Sequence, residues 1–217
     1  MPLFNKFTPM ESGVLKEAIL RYTNSVNFPV KNVFIIDGSK RSSKSNAFFA
    51  GSGRNKRVAL FDTLIAQHTI PEIVSVLAHE VGHCKKKHVL QATIIGILHT
   101  GVIFFLLSLI LGSPVLYQTF YMQQASIYAG LLFFGLLFTP IQLMLSLVLQ
   151  IFSRRNEYGA DRFAVETTDD PHSLISALKR LSAANLSNLT PHPFYVFLNY
   201  SHPPLLQRIK AILGTKQ

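Results

Sequence analysis

From Val89 to Ser153 the chain runs for 65 residues without an Asp, Glu, Lys or Arg. All 21 Lys and Arg and all 11 Asp and Glu lie outside that stretch. Within it, Val89–Gly112 supplies 24 apolar or neutral residues, interrupted only by Gln91 and His99. Ala125–Phe152 supplies 28 more, with Pro140 and Gln142 near the middle. A helix needs about 20 such residues to cross a bilayer. A chain of 217 residues cannot surround two uncharged helices of this length with its own core. The pattern excludes a plain soluble globule and a disordered tail. It predicts a transmembrane helical hairpin over residues 89–152, set between polar portions 1–88 and 153–217.

The formal net charge of +10 would ordinarily point to nucleic acid. Here Lys85, Lys86, Lys87, Arg154 and Arg155 flank the apolar runs, where lipid headgroups already account for them. The expected partner is therefore the lipid bilayer and not nucleic acid. By the positive-inside rule both flanks face the cytoplasm. The uncharged tip, residues 113–124, faces away and carries Tyr117, Phe120 and Tyr121 for the opposite interface. A single cysteine, Cys84, excludes an internal disulfide framework and reads as a small buried side chain. The first residues lack the apolar core of a signal peptide, and the last ones lack a lipidation motif.

The polar portions read as mainly α. A surface helix is expected over about 10–26, with Val14, Ala18 and Ile19 on its apolar stripe. Three short runs, Val33–Asp37, Asn46–Ala50 and Arg57–Phe61, read as a small antiparallel β-meander. Their separators are Gly38 with the SKRSSK run, and Gly51-Ser52-Gly53. Thr69, Pro71 and Glu72 form a helix start with a capping box. After the hairpin, helices are expected over about 153–166, 171–184 and 203–213.

The first of the predicted catalytic helices carries His79-Glu80-Val81-Gly82-His83. Residues i and i+4 stand one above the other on a helix, so both imidazoles can address one ion with the glutamate beside them. This is the zincin arrangement, two histidines on Zn2+ and the glutamate as general base. A third protein ligand is needed. The metzincin pattern would require a glycine at position 86 and a histidine at position 89, and the sequence has Lys86 and Val89. His88 is out of register and reads as an interfacial side chain. The other candidate is Glu157, with Asp161 one turn on to hold the free ring N–H of a ligand histidine. The hairpin returns the chain to the side it left, which brings Glu157 beside His79 and His83.

Three further positions stay open on residue type alone. His202, held by Pro203 and Pro204, is either an oxyanion donor or a histidine in a capping loop. Arg208 either pairs with Glu157 or Asp161 or lies on the surface. Asn46 and Ala47 begin a strand flanked by Ser43, Ser45 and Gly51. Its edge either holds an extended peptide by β-augmentation or packs the strand's phenylalanines. His99, alone in mid-span, reads as a helix–helix contact.

PLFNKFTP, GSKRSSKSNAFFAG, RVALFDTL, HEVGHCKKKH, SRRNEYGADRFA and NYSHPPLLQRI occur in this order across nearly the whole chain. Together they resemble the type I CAAX prenyl proteases, the integral-membrane zinc metalloproteases of the Ste24 type. HEVGH and the Glu157/Asp161 pair are shared with the wider HtpX-like group, whereas SKSNAFFAG and SHPPLLQR are the more discriminating pieces. The resemblance implies one zinc on His79, His83 and Glu157, with Glu80 as general base. It implies His202 near the oxyanion, Asp161 and Arg208 supporting the ligands, and Asn46 and Ala47 aligning the substrate. That substrate would be a peptide or protein, in the family one prenylated at a C-terminal CAAX.

Family members carry further membrane helices before the PLFNKFTP-like segment. The chain is therefore expected to be a piece of a longer protein or to work with a partner supplying those helices. The short 62–69 loop, where animal relatives carry a long acidic insertion, points to a prokaryotic source. The leading expectation is a multi-pass membrane zinc endopeptidase with its catalytic side cytoplasmic. It would lie in the inner membrane of a bacterium, or in the endoplasmic reticulum or inner nuclear membrane of a eukaryote. The alternatives are a non-catalytic membrane module that keeps the fold, and an HtpX-like quality-control protease.

Overall fold

Thr69 opens the helix on which the architecture turns. Its side chain and that of Glu72 close the expected capping box, and α3 then runs over Ile70–Lys85. In this computed structural model, residues 7–40, 46–51 and 55–215 are described. Ser43 and Ser45, most of the SKRSSK run, and Ser52 and Gly53 lie outside the described residues. Ahead of α3 come β1 (Phe7–Pro9), α1 (Val14–Ser25), β2 (Asn32–Ile36), β3 (Ala47–Ala50), β4 (Arg57–Phe61) and α2 (Asp62–Gln67). Behind it come α4 (His88–Leu111), α5 (Pro114–Thr119), α6 (Ile127–Thr168), α7 (Pro171–Ala184), α8 (Pro193–Asn199) and α9 (Leu205–Gly214).

The sheet differs from the expected antiparallel meander. It is four-stranded and mixed, in the order β1-β2-β4-β3. β2 pairs parallel with β4, Val33 opposite Val58 and Ile36 opposite Phe61, while β3 folds back antiparallel onto β4. Placing β4 in the centre buries Val58, Ala59 and Leu60 completely or nearly so, which an edge position would not. β1 was missed because it is three residues long and ends in Pro9, which suits an edge strand. β3 occupies the other edge, beside α3.

The core lies between the sheet and the helices α1, α3, α7 and α9. Ile19, Leu60, Leu64, Leu77, Leu174 and Ile212 are all buried there at 1% exposure or less. Fully burying such a side chain stabilises the fold by about 1.5–3 kcal/mol. Within α1 the expected stripe is only partly right, since Ile19 is buried while Val14 is exposed.

α4 and the first part of α6 form the apolar hairpin, and both are long and apolar enough to cross a membrane. Apart from His88, α4 buries no residue against the rest of the molecule. At the tip, α5 packs Tyr117 under Phe133, and Phe120 stacks on Phe133 with ring centroids 3.9 Å apart. Tyr117 is thus a buried post of the tip, not the exposed interfacial ring that the sequence suggests, whereas Tyr121 is exposed as expected. Gly130 makes this packing possible, because a Cβ there would stand 2.6 Å from the Tyr117 hydroxyl.

The sequence reading separates a second span from a helix beginning near residue 153. The structure joins them: α6 continues for 42 residues through Pro140 to Thr168. One continuous helix therefore carries both the apolar segment and Glu157.

Candidate active site

His79 and His83 face α6 from α3, with Glu80 between them in sequence. The two helices approach closely at Gly82, where a Cβ would lie 3.1 Å from Ala160 Cα and 3.2 Å from its carbonyl oxygen. That proximity brings Glu157, buried at 6% exposure, against both histidines. His79 Nε2 lies 3.1 Å from His83 Nε2. Glu157 Oε2 lies 3.6 Å from His79 Nε2, and Oε1 lies 3.4 Å from His83 Nε2.

These three separations test whether the residues fit a metal. A tetrahedral ion with bonds of about 2.0–2.2 Å has ligand–ligand edges of about 3.3–3.6 Å. The observed separations, 3.1 to 3.6 Å with each histidine measured to a different Glu157 oxygen, come close to such edges. The donor chemistry agrees. His79 Nδ1 sits 2.8 Å from Asp161 Oδ1 and donates its proton to that carboxylate. Its Nε2 is therefore a bare lone pair turned toward the other two groups. His79, His83 and Glu157 form the one cluster of metal-ligating side chains among the described residues.

Arg208, from α9, completes the support. Its Nε and Nη2 donate to the two Asp161 oxygens at 2.8 and 2.6 Å, and its Nη1 lies 3.6 Å from Glu157 Oε2. Burial pushes the Asp161 carboxyl up, but the bonds from Arg208 and His79 more than offset this and hold it below the usual range. Glu157 behaves alike: burial raises it, and His202, His83, His79 and Arg208 together hold it well below. Both carboxylates are ionised. Glu80 is the exception, its carboxyl raised chiefly by burial.

His202 Nδ1 lies 3.2 Å from Glu157 Oε2, on a side chain that is largely exposed. This leaves its other ring nitrogen free for a ligand. A cavity of about 400 Å³ joins these groups, and Asn46, Ala47, Glu80, Leu178, Leu181 and His202 are among its lining residues. Asn46 and Ala47 lie at the start of the edge strand β3. The Asn46 carbonyl accepts from Phe61 N–H, and its side-chain oxygen accepts from Ala47 N–H. All the site residues expected from the sequence thus line one cavity or contact those that do.

Three positions differ from expectation. His88 is not interfacial: it is buried at 7% exposure, and its Nδ1 lies 3.1 Å from His83 Nδ1. The cause is Lys87, whose left-handed backbone (φ 57°) turns the chain so that α4 starts under His83. Cys84 is exposed, not buried, and partial desolvation together with the nearby Glu80 charge pushes its thiol pKa up, away from an activated thiolate. Arg154 is more than a flanking charge. It donates to the Tyr200 carbonyl at 2.6 Å and, with Gln150 on the Leu198 carbonyl, ties α8 to α6. Its position among apolar residues signalled a flank, and nothing local signalled α8.

The chain is 39% identical to CAAX prenyl protease 1 of Saccharomyces cerevisiae over 98% of its length and 50% of the relative's. It is 42% identical to the CAAX prenyl protease 1 homolog of Oryza sativa over 97% of the chain and 50% of that protein. It is 34% identical to the human homolog over 100% of the chain and 54% of that protein. The chain thus spans about half the length of the curated relatives it matches. Among solved structures, S. mikatae Ste24p superposes with a TM-score of 0.86 at 39% identity, covering 98% of this chain and 53% of that one. Residues 9–216 match the sequence profile described as Peptidase family M48, with the paired histidines, Glu80 and Glu157 inside the match. The chain belongs to peptidase family M48.

Proposed function

We propose that the chain carries the catalytic centre of a membrane-embedded zinc endopeptidase that hydrolyses peptide bonds on the cytoplasmic side. The observation that carries this reading is the convergence of His79 Nε2, His83 Nε2 and the two Glu157 oxygens, at separations of 3.1 to 3.6 Å. Two nitrogens and one carboxylate in tetrahedral spacing suit zinc and leave a position open. When bound, zinc supplies Lewis-acid polarisation of a peptide carbonyl and acidifies water to a pKa of about 7.

The chain's own residues do the rest. Glu80, beside the ligands on the cavity wall, takes a proton from the attacking water and passes it to the departing amine. His202, whose ring Glu157 favours in the doubly protonated form, donates from Nδ1 to Glu157 and from its other nitrogen to the oxygen that gains negative charge. The free edge of β3 at Asn46 and Ala47 aligns an extended peptide along the cavity. Asp161 and Arg208 hold His79 in the tautomer that leaves Nε2 unprotonated.

The relatives' names point to proteins and peptides ending in a prenylated CAAX as the substrate class. α4 and the apolar part of α6 cross the bilayer as a hairpin, supported by their length, composition and exposure. A second reading is that turnover requires further membrane helices from a partner or a longer chain. It is favoured by the exposed apolar side chains of α4 and by the relatives' being about twice as long.

The test is cleavage of a farnesylated CAAX peptide by the chain in lipid nanodiscs, with Glu80→Gln as control. The parent should cleave, and the variant should keep its metal but lose about 10²–10⁴ in rate. Equal rates would remove Glu80 from the mechanism, and a metal-loaded parent that never cleaves would favour the second reading.

A further inference from the structure

The two ligand histidines are supported differently. His79 leans on a buried carboxylate, Asp161. His83 has no carboxylate on its far ring nitrogen. Among the described residues its Nδ1 is paired with His88 Nδ1 at 3.1 Å, the two rings edge to face at 77° with centroids 5.0 Å apart. Two imidazole nitrogens attract at that distance only if one of them carries a proton, and His83 Nε2 stands at the same 3.1 Å from His79 Nε2, so the metal-free contacts suit a proton on either nitrogen of His83. His83 Nε2 points at His79 and Glu157. If that nitrogen is to bind a cation its lone pair must be free, so the single proton of neutral His83 belongs on Nδ1. His88 Nδ1 must then accept it, with the His88 proton on Nε2.

We infer that His88 is a positioning residue of the metal centre, accepting the Nδ1 proton of His83 and thereby committing His83 Nε2 to the ion. This rests on the proposed zinc reading. The fold maintains the contact at a cost. Lys87, a non-glycine residue, adopts the left-handed conformation that ends α3 and starts α4 at once. The turn is anchored by Lys86 N–H on Gly82 O and Gln91 N–H on Lys87 O, at 3.0 Å each. His88 becomes the first residue of α4 and its only buried one. The apolar helix is thereby coupled to a ligand of the active site through one hydrogen bond.

Histidine-15N-labelled chain in nanodiscs tests this without turnover. In the zinc-loaded parent, long-range 1H–15N correlation should show His88 protonated on Nε2, its Nδ1 accepting from His83. Chelator competition should show that His88→Leu binds zinc about 10–100-fold more weakly than the parent. His88→Asn, whose side-chain oxygen falls where Nδ1 stood, should restore the affinity. His88 protonated on Nδ1 in the zinc-loaded parent, or unchanged zinc affinity in His88→Leu, would overturn the inference. Should His88→Leu fail to fold, the tautomer of His88 and the affinity of His88→Asn still decide: loss of affinity in a folded His88→Asn variant contradicts the role. If the folded parent binds no zinc, the zinc reading fails, and the role of His88 at a metal centre fails with it.

Discussion

Asp161 is 2% exposed and holds three charge-assisted bonds, one from His79 and two from Arg208. Its removal is therefore felt at the metal without touching it. Asp161→Asn should weaken zinc binding about 10–100-fold in chelator competition, because the amide no longer fixes the His79 proton. It also leaves Arg208 buried without its full partner. The i, i+4 histidine pair was legible in the sequence because helical periodicity is local. Glu157 and Asp161 were legible only through a topological argument, and Arg208 remained one of several options. A bidentate pair joining α6 to α9 has no local signal. His88 was misread for a related reason: its place depends on one left-handed residue, Lys87, that composition does not announce.

At the scale of elements, α3 is also anchored at its start. Glu72 accepts from Thr69 N–H at 2.7 Å and from the Ser176 hydroxyl at 2.5 Å, with Arg180 Nε at 3.1 Å. It thus caps α3 and clamps it to α7. Burial raises the Glu72 carboxyl, but these donors hold it below the ordinary value of 4.5. A lowered carboxylate stabilises the fold fully above its unfolded pKa, and this contribution fades as pH falls through the folded value. Glu72→Gln should therefore cost about 1–3 kcal/mol near neutrality, read as a lower melting temperature. The gap from the parent should close as the pH is taken below 4.5. The capping box was readable from Thr69 and Glu72, while the clamp to α7 was not, since Ser176 lies 104 residues away. The sheet shows the same limit. The strands themselves were readable from their alternation, but the parallel pairing of β2 with β4 is a non-local choice made by burial.

Across the whole molecule, one 42-residue helix links the apolar hairpin to the ligand set. The hairpin was legible because it needs only composition and length. What it packs against was not, and beyond its contact with α6 most of α4 is exposed. With both ends of the hairpin on the catalytic side, single cysteines in a Cys84→Ser background should label asymmetrically in intact membranes. Tyr121→Cys, at the exposed tip, should react from outside. Lys86→Cys and Arg155→Cys should react only after permeabilisation. Labelling of all three from one side would exclude the hairpin.

The ligand triangle joins these scales, and zinc-edge X-ray absorption on the purified, zinc-loaded chain tests it most directly. The spectrum should show a four-coordinate N/O shell at about 2.0–2.2 Å that includes two imidazoles. In Glu157→Gln the shell should change or the zinc should be lost. A shell containing sulfur at about 2.3 Å, or a spectrum unchanged by Glu157→Gln, would contradict a zinc held by His79, His83 and Glu157.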